Sequence, residues 1–274
     1  MSSKMRFLDN NFFGYLADGI TLNCEVLNAQ SLPDYVENLV SPVRSASFSL
    51  RYNVGRITLD LSTPMKVTAV ALFGPISLPI DILPGSTVKI MGDNVDDHFW
   101  LNPEFELSLT VDNDRNVVGF IDPDTAPSYR FWAFKVENPD MEDKPFSIST
   151  LYIGDYTETT LRNVSTGIGW DTKDPSKTKK SLDGTAYHEV RPKYDTFKSM
   201  KYSFVQNQDR LILEQLYDRM GKSEWMPISI DPDGCLTDGD GSQLTRLARF
   251  SSDLKRKHKA LDYWDVSFSL EEVV

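Results

Sequence analysis

The strongest constraint on the fold is an alternation of apolar and polar residues with a period of two, repeated in short segments along most of the chain. The alternating apolar positions are Ala46, Phe48, Leu50 and Tyr52; Ile57, Leu59 and Leu61; Phe105, Leu107, Leu109 and Val111; Trp132, Phe134 and Val136; and Trp264, Val266, Phe268 and Leu270. Because successive side chains of a strand point to opposite faces, this pattern predicts half-buried β-strands. Turn residues such as Pro84-Gly85 and Asn113-Asp114 separate them. We therefore predict a mainly β protein with an N-terminal β-sandwich of the jelly-roll type.

Two segments depart from this alternation. Val67–Phe73 is nearly all apolar, which predicts a strand covered on both faces. Near the C-terminus, Leu213, Leu216, Tyr217 and Met220 recur at helical spacing, which predicts one α-helix at about 209–220. Asn207 or Asp209 could cap the start of this helix, and Gly221 could end it.

The middle of the chain contains few residues that could build a core. Residues 156–184 are rich in Thr, Gly, Ser and Lys, and they predict a polar linker or arm. It would join a β-sandwich domain of residues 1–155 to a β-rich domain of residues 185–274 that contains the helix. Ordering each residue costs about 1–2 kcal/mol of backbone entropy, so we expect the arm to become ordered by docking on a neighbouring subunit.

The charge of the chain is negative and unevenly distributed. The formal net charge is −11. Residues 1–155 hold 11 Lys and Arg against 21 Asp and Glu, a net of −10, and the remaining residues hold 18 against 19. Because an acidic surface repels phosphates, this balance predicts no nucleic-acid partner. No apolar run of about 18 residues occurs, so we also predict no membrane span.

The usual equipment of an enzyme is missing from the sequence. The three histidines have no metal-ligand spacing, and there is no nucleophile elbow, phosphate-binding loop or dinucleotide fingerprint. We predict a non-enzymatic protein with no catalytic residue, metal or cofactor. Two alternatives stay open. One is a polysaccharide hydrolase, because the separation between two catalytic carboxylates cannot be read from sequence. The other is a calcium ion bound by acidic loops such as Asp93–Asp97, whose carboxylates could supply oxygen ligands.

Two groups of residues are candidates for binding. Trp100 follows an acidic loop, and an exposed aromatic ring beside carboxylates is typical of sugar-binding loops, so Trp100, Asp96 and Asp97 are candidate glycan contacts. The basic residues Lys255, Arg256, Lys257 and Lys259 are candidate subunit contacts, which could meet the acidic first domain of a neighbour. The alternative for this basic run is a strand edge that charge protects from aggregation.

Two sets of short motifs carry a family resemblance. The first is Asn38-Leu39…Pro42-x-Arg44-Ser45, Ile57-x-Leu59-Asp60-Leu61 and Val67-x-Ala69-Val70-Ala71-Leu72-Phe73-Gly74. The second is Gly184-x-x-Tyr187…Arg191-Pro192-Lys193-Tyr194, the helix 209–220 and Pro227-Ile-Ser-Ile-Asp-Pro232. The first set resembles the opening of a discoidin-like (galactose-binding-like) β-sandwich in tail proteins of tailed bacteriophages. The second is similar to the following domain of minor tail or tail-tip proteins.

This resemblance implies a structural protein of the phage tail tip or baseplate, located in the virion after synthesis in the host cytoplasm. Its partners would be other tail proteins and its own copies, in a ring of three or six subunits. The resemblance carries over no catalytic residue. The alternative function is a carbohydrate-binding module that contacts glycans of the host surface.

Overall fold

The computed structural model describes residues 4–12, 21–26, 48–50, 54–74, 87–96, 102–111, 116–137, 146–160, 164, 168–181, 186–231 and 244–273. These ranges contain twenty β-strands and one α-helix. The first twelve strands are β1 (Arg6–Asn11), β2 (Thr21–Val26), β3 (Phe48–Leu50), β4 (Val54–Lys66), β5 (Ala69–Phe73), β6 (Thr87–Asp93), β7 (Phe105–Ser108), β8 (Thr110–Val111), β9 (Val117–Phe120), β10 (Ser128–Glu137), β11 (Phe146–Ile148) and β12 (Thr150–Glu158). The others are β13 (Gly169–Lys173), β14 (Lys177–Lys180), β15 (Ala186–Glu189), β16 (Tyr194–Gln206), α1 (Asn207–Met220), β17 (Met226–Asp231), β18 (Leu244–Phe250), β19 (Lys255–Ala260) and β20 (Tyr263–Glu272). The prediction of a mainly β chain with one helix is confirmed.

Two antiparallel sheets form the first unit of the protein. One has the order β2-β4-β10-β6-β7, and the other contributes its portion β1-β12-β5-β9-β8. Alternate residues from both sheets fill one apolar core, for example Ile57 and Trp132 from the first sheet and Val70 and Leu72 from the second, all fully buried. The first unit is therefore a β-sandwich, as the alternation predicted.

Strand β5 is covered on both faces, which confirms the expectation for the apolar run that contains it. Val70 and Leu72 face the sandwich core, whereas Ala69, Ala71 and Phe73 belong to a second cluster with Tyr152 and Leu247. All five residues of β5 are buried. This second cluster includes residues from the C-terminal part of the chain, so it also joins the two units.

The second unit is a sheet with a helix packed on it. Its strands follow the order β13-β16-β20-β18-β17, and β19 pairs with β20. Leu213 and Leu216 of α1 are buried in one cluster with Phe197, Tyr202 and Phe268 of the sheet. Gln206 at the N-cap makes no side-chain capping bond, so the helix is stabilised mainly by the packing of its apolar stripe on the sheet.

The cap predicted at Asn207 or Asp209 is wrong, since Asp209 instead accepts a hydrogen bond from the Thr160 amide at 2.6 Å. Gly221 ends the helix as predicted, with φ of 52°.

Strand β1 joins the two units into one sheet of eleven strands. Arg6 pairs with Glu158 of β12 on one side and with Ser229 of β17 on the other. A register shift between Phe7 and Asn10 bends the strand. At this bend Gly154 lies so close to the neighbouring strand that a Cβ atom would stand 1.9 Å from the Asn10 carbonyl oxygen. Only glycine fits there.

The predicted domain division meets three features of the structure. The boundary at residue 155 falls within β12, and the predicted linker 156–184 includes β13, which pairs with β16 at the edge of the large sheet. It also includes β14, which pairs only with β15 in a separate two-stranded sheet. The division itself, and the role of the segment as an arm, stay predictions. Within the described residues, no helix is long and apolar enough to cross a membrane.

Candidate functional site

A cleft of about 750 Å³ lies where the two units meet. We call it the junction cleft. Three parts of the chain line it: strands β1 and β12, the turn after β9, and one face of α1. The residues that line it are Arg6, Phe120, Ile121, Asp122, Pro123, Asp124, Tyr156, Thr157, Glu158, Ile212, Gln215 and Arg219. Its volume is in the range of small-molecule sites.

An aromatic pair with an arginine across it forms one wall of the cleft. The rings of Phe120 and Tyr156 pack edge to face, with centroids 5.5 Å apart. The Arg6 guanidinium carbon lies 4.5 Å from the Phe120 centroid and 4.9 Å from the Tyr156 centroid. Such cation–π contacts hold a planar guanidinium in a fixed orientation.

Arg6 retains hydrogen-bonding capacity. Its Nε donates to Oε2 of Glu158 at 3.2 Å, and its side chain is 21% exposed. Within the described residues, its two terminal nitrogens donate to no protein acceptor. A guanidinium carries five N–H groups, so Arg6 offers unused donors from a half-buried position beside the cleft.

The turn after β9 supplies exposed carboxylates. The Asp122 carbonyl accepts hydrogen bonds from the amides of Thr125 and Ala126 at 3.0 and 2.8 Å. The Asp122 side chain accepts the Asp124 amide at 2.8 Å. These bonds fix the turn, and Asp122 and Asp124 are both exposed. The cleft is therefore lined by carboxylate acceptors on a hydrogen-bonded turn as well as by arginine donors.

Helix α1 forms the third side of the cleft. Ile212, Gln215 and Arg219 are spaced at i, i+3 and i+7, so they share one helix face. Arg219 forms an ion pair with Asp9 of β1, whose side chain is 1% exposed. The helix face that lines the cleft is thus fixed to the shared strand.

A buried polar cluster stands behind this ion pair. The Tyr152 hydroxyl donates to the Asp155 carbonyl at 2.5 Å and accepts the Asn10 amide at 3.2 Å. Thr68 and Asn10 donate to the two oxygens of the Asp155 carboxylate, each at 3.3 Å. Burial is the main cause that raises the pKa of Asp155 and of Asp9. Burial, reinforced by the Asp9 charge, also raises the pKa of Tyr152 well above its usual value.

Of the predicted glycan contacts, only Asp96 lies within the described residues, and it does not line the junction cleft. Trp100 and Asp97 lie outside the described residues. Asp96 follows β6 of the five-stranded sheet, and its Oδ1 atom is buried without a hydrogen-bond partner in the described part of the chain. The adjacent Asp93 accepts the amides of Val95 and Glu104, at 2.9 and 3.2 Å, so it stabilises the turn. No three metal-ligating side chains of the described ranges gather into a metal site.

The predicted basic contacts lie on one exposed strand. All six residues of β19 are exposed. Arg256 pairs with Glu214 at 2.9 Å and Lys259 with Asp265 at 3.1 Å. Lys255 and Lys257 form no salt bridge with a described residue. The role of this strand in a subunit interface stays a prediction.

Sequence reasoning missed the cleft because its residues come from distant segments. Arg6, Phe120 and Tyr156 are brought together only by the pairing of β1 with β12 and by the position of β9 two strands further along the sheet. One local signal was present: Phe120 lies two residues before the turn that starts at Asp122-Pro123. An aromatic residue beside an acidic turn marks such a loop as a candidate without showing its partners.

The fold and the cleft define a β-sandwich protein with a ligand-sized site at its junction with a second β unit. No family model and no curated protein matches the chain. Among solved structures, CpGH89CBM32-6 of Clostridium perfringens overlaps 53% of this chain and 98% of its own, with 13% identity and a TM-score of 0.36. A fucose-binding module of Streptococcus pneumoniae, SpX-3, overlaps 54% and 99%, with 8% identity and a TM-score of 0.38.

A third structure is a fucosidase. The chain overlaps a GH29 fucosidase of Ruminococcus gnavus over 54% of its own length and 27% of that chain, with 17% identity and a TM-score of 0.40. With TM-scores at or below 0.40, none of these three superpositions defines the function of this protein.

Proposed function

We propose that this protein is a non-enzymatic carbohydrate-binding protein that holds an uncharged glycan in the junction cleft. The observation that carries the proposal is Arg6, which lies over two aromatic rings and whose terminal N–H groups donate to no acceptor among the described residues. Exposed carboxylates line the same cleft. This set of groups matches the surface of a sugar.

Sugars combine hydroxyl groups with apolar C–H faces. The hydroxyls can accept from Arg6 and donate to Asp122, Asp124 and Glu158, which line the same cleft. The aromatic pair and Pro123 supply apolar contact area. Ligand sites of this kind place a few oriented polar groups on an apolar wall.

The charges of the cleft favour a neutral ligand. The residues that line the cleft include two positive side chains, Arg6 and Arg219. They also include three negative ones, Asp122, Asp124 and Glu158, so the net charge of the lining is −1. Arg219 is already engaged by Asp9, and Arg6 by Glu158. A sulfated, phosphorylated or sialylated sugar would therefore meet a surface of its own sign.

A glycan array followed by calorimetry tests the proposal. Arg6→Lys keeps the positive charge but removes the planar fork of donors. We expect it to weaken binding of the selected glycan about tenfold or more, the equivalent of about 1.4 kcal/mol. Asp124→Ala and Gln215→Ala, both at exposed positions, should each weaken it by about threefold to tenfold.

Asp218→Ala supplies the matched control, because Asp218 is an exposed residue of α1 that does not line the cleft. It should bind as the parent protein does. A parent protein that binds no glycan, or one whose binding is unchanged in all three cleft variants, would contradict the proposal.

A second candidate function is the structural component of a bacteriophage tail that the sequence motifs suggest. The observation that favours it is the open edge of β19, where every residue is exposed and Lys255 and Lys257 lack salt bridges with described residues. Such an edge can pair with another subunit. Tails assembled in phage that carries Lys255, Arg256, Lys257 and Lys259 all changed to Glu would show by electron microscopy whether this edge is required. Normal tails would exclude the charged interface.

A further inference from the structure

Strands β14 and β15 form a ribbon that stands apart from both units. We call the described residues 177–181 and 186–189 the hairpin arm. Lys177 pairs with Glu189 and Lys180 with Ala186, and neither strand belongs to a larger sheet. Seven of the eight strand residues are exposed and Glu189 is half-buried. The ribbon therefore has no covered face within the described protein.

Local contacts hold the arm together weakly. Thr178 Oγ1 lies 3.1 Å from His188 Nδ1 across the two strands. At the base, the Arg191 amide donates to Ser176 Oγ at 3.0 Å. Lys179 lies 3.7 Å from Glu189. Exposed ion pairs of this kind contribute between about 0 and 1 kcal/mol.

An isolated two-stranded ribbon needs a covering surface. Such hairpins are marginal in water, because each ordered residue costs about 1–2 kcal/mol of backbone entropy and little apolar area is buried in return. Two large apolar side chains on the arm and just after it remain in solvent: Tyr187 is 60% exposed and Val190 is 85% exposed. They are suited to a contact with another molecule, where a tyrosine often supplies much of the binding energy.

The charge of the arm indicates the sign of that molecule. Residues 177–193 hold five basic side chains, Lys177, Lys179, Lys180, Arg191 and Lys193, against two carboxylates, Asp183 and Glu189. Lys177 and Lys180 form no salt bridge with a described residue. A partner with a negative surface is favoured, and the net charge of −11 on the whole chain disfavours nucleic acid in this role.

The N-terminal part of the chain has a net charge of the required sign. Residues 1–155 have a net charge of −10. We propose that the hairpin arm docks on the acidic N-terminal β-sandwich of a second copy of this chain. Strand β19 is the other basic strand, but it is already part of the large sheet through β20 and needs no partner to be ordered.

Zero-length cross-linking of a mixture of isotope-labelled and unlabelled full chains tests the proposal. A carbodiimide joins lysine amines directly to carboxylates in contact. We expect mixed-isotope links from Lys177, Lys179 or Lys180 to carboxylates of residues 1–155. Sedimentation over about 1–100 µM should show association that weakens as salt rises from about 0.05 to 0.5 M.

Two matched double substitutions distinguish the contribution of β14 to association from that of β19. Lys177→Glu with Lys180→Glu should raise the dissociation constant about tenfold or more. Lys255→Glu with Lys257→Glu makes the same change of charge on β19 and should leave the constant within about twofold. Both variants alter exposed positions, and circular dichroism should match the parent.

Three results would overturn the proposal. They are a monomer at every concentration, hairpin links only within one copy, and an equal or larger loss of association in the β19 variant.

Discussion

Arg219 at the end of α1 forms an ion pair with Asp9 on β1, and only 1% of the Asp9 side chain is exposed. The pair fastens the helix of the second unit to the strand that both units share. Burial raises the pKa of Asp9, and the nearby Arg219 charge offsets that effect only in part. Ionisation of this carboxyl group in the folded protein therefore lowers the free energy of unfolding, and the size of that loss depends on pH.

Replacing Asp9 by Asn should change the pH dependence of stability in one direction. A carboxyl whose folded pKa is raised binds more protons in the native state, so the free energy of unfolding falls as pH rises from the ordinary value of 3.8 through the folded pKa. Asn has no proton to lose. We expect Asp9→Asn to become more stable, relative to the parent, between about pH 4 and pH 7 in urea titrations.

Asp60→Asn provides the opposite case. Hydrogen bonds from Arg130, at 2.7 Å to each oxygen, are the main cause that lowers the pKa of Asp60. Its contribution is present above the ordinary carboxyl value and is lost as pH falls. The Asn variant should therefore be the less stable protein at about pH 7, with the difference shrinking towards about pH 3. If both variants shift the profile in the same direction, the assignment of the two environments is wrong.

Gly154→Ala should disrupt the junction of β1 and β12. The new Cβ would stand 1.9 Å from the Asn10 carbonyl oxygen, and backbone cannot move aside as a flexible side chain can. We expect a loss of roughly 3 kcal/mol in the free energy of unfolding. Gly169→Ala is the control, because there the nearest atom is 3.4 Å from the added Cβ. A loss below about 0.5 kcal/mol at Gly154 would show that the strands can separate at this point.

Asp195→Ala should remove a carboxylate that pairs with the buried Arg246 guanidinium. Nε and Nη2 of Arg246 each lie 3.2 Å from Asp195 Oδ2, and their side chains are 7% and 11% exposed. Removing one member of a buried pair costs about 3–5 kcal/mol. Thermal unfolding measures the loss. Asp171→Ala, which removes a carboxylate at an exposed ion pair, should shift the midpoint far less.

The charge balance of the junction cleft predicts ligand preference. A neutral oligosaccharide should bind about tenfold or more tightly than its sialylated counterpart at low salt, and the ratio should shrink as salt screens the lining carboxylates. Calorimetry with the two glycans at two salt concentrations measures the affinity ratio and its dependence on salt. If the sialylated glycan binds more tightly than the neutral one, either the binding site lies outside the junction cleft or the positive charge of Arg6 outweighs the lining carboxylates.

The alternation of apolar and polar residues predicted many strands of the sandwich. It did not predict which strands pair with one another. Ile57, Leu59 and Leu61 alternate in the sequence and are all buried in the core, because alternation is a property of a single strand. The sequence of β1, Arg6–Asn11, carries only Phe7 and Leu8 as apolar residues. Nothing local showed that it would lie in the middle of an eleven-stranded sheet. The junction cleft depends on that pairing, so its residues could not be grouped beforehand.

The shared strand also sets the order in which the chain can fold. Strand β1 is synthesised before the other described strands, yet its partners β12 and β17 lie roughly 145 and 220 residues further along. Pairing over such separations is slow, because loop-closure entropy is lost before the contacts form. The remaining strands of the sandwich can assemble during synthesis. Residues 6–11 can pair with β12 once that strand is made, but their second edge stays open until β17 follows. The pairing of β1 with β17 would then be the step that commits the molecule to a single structure.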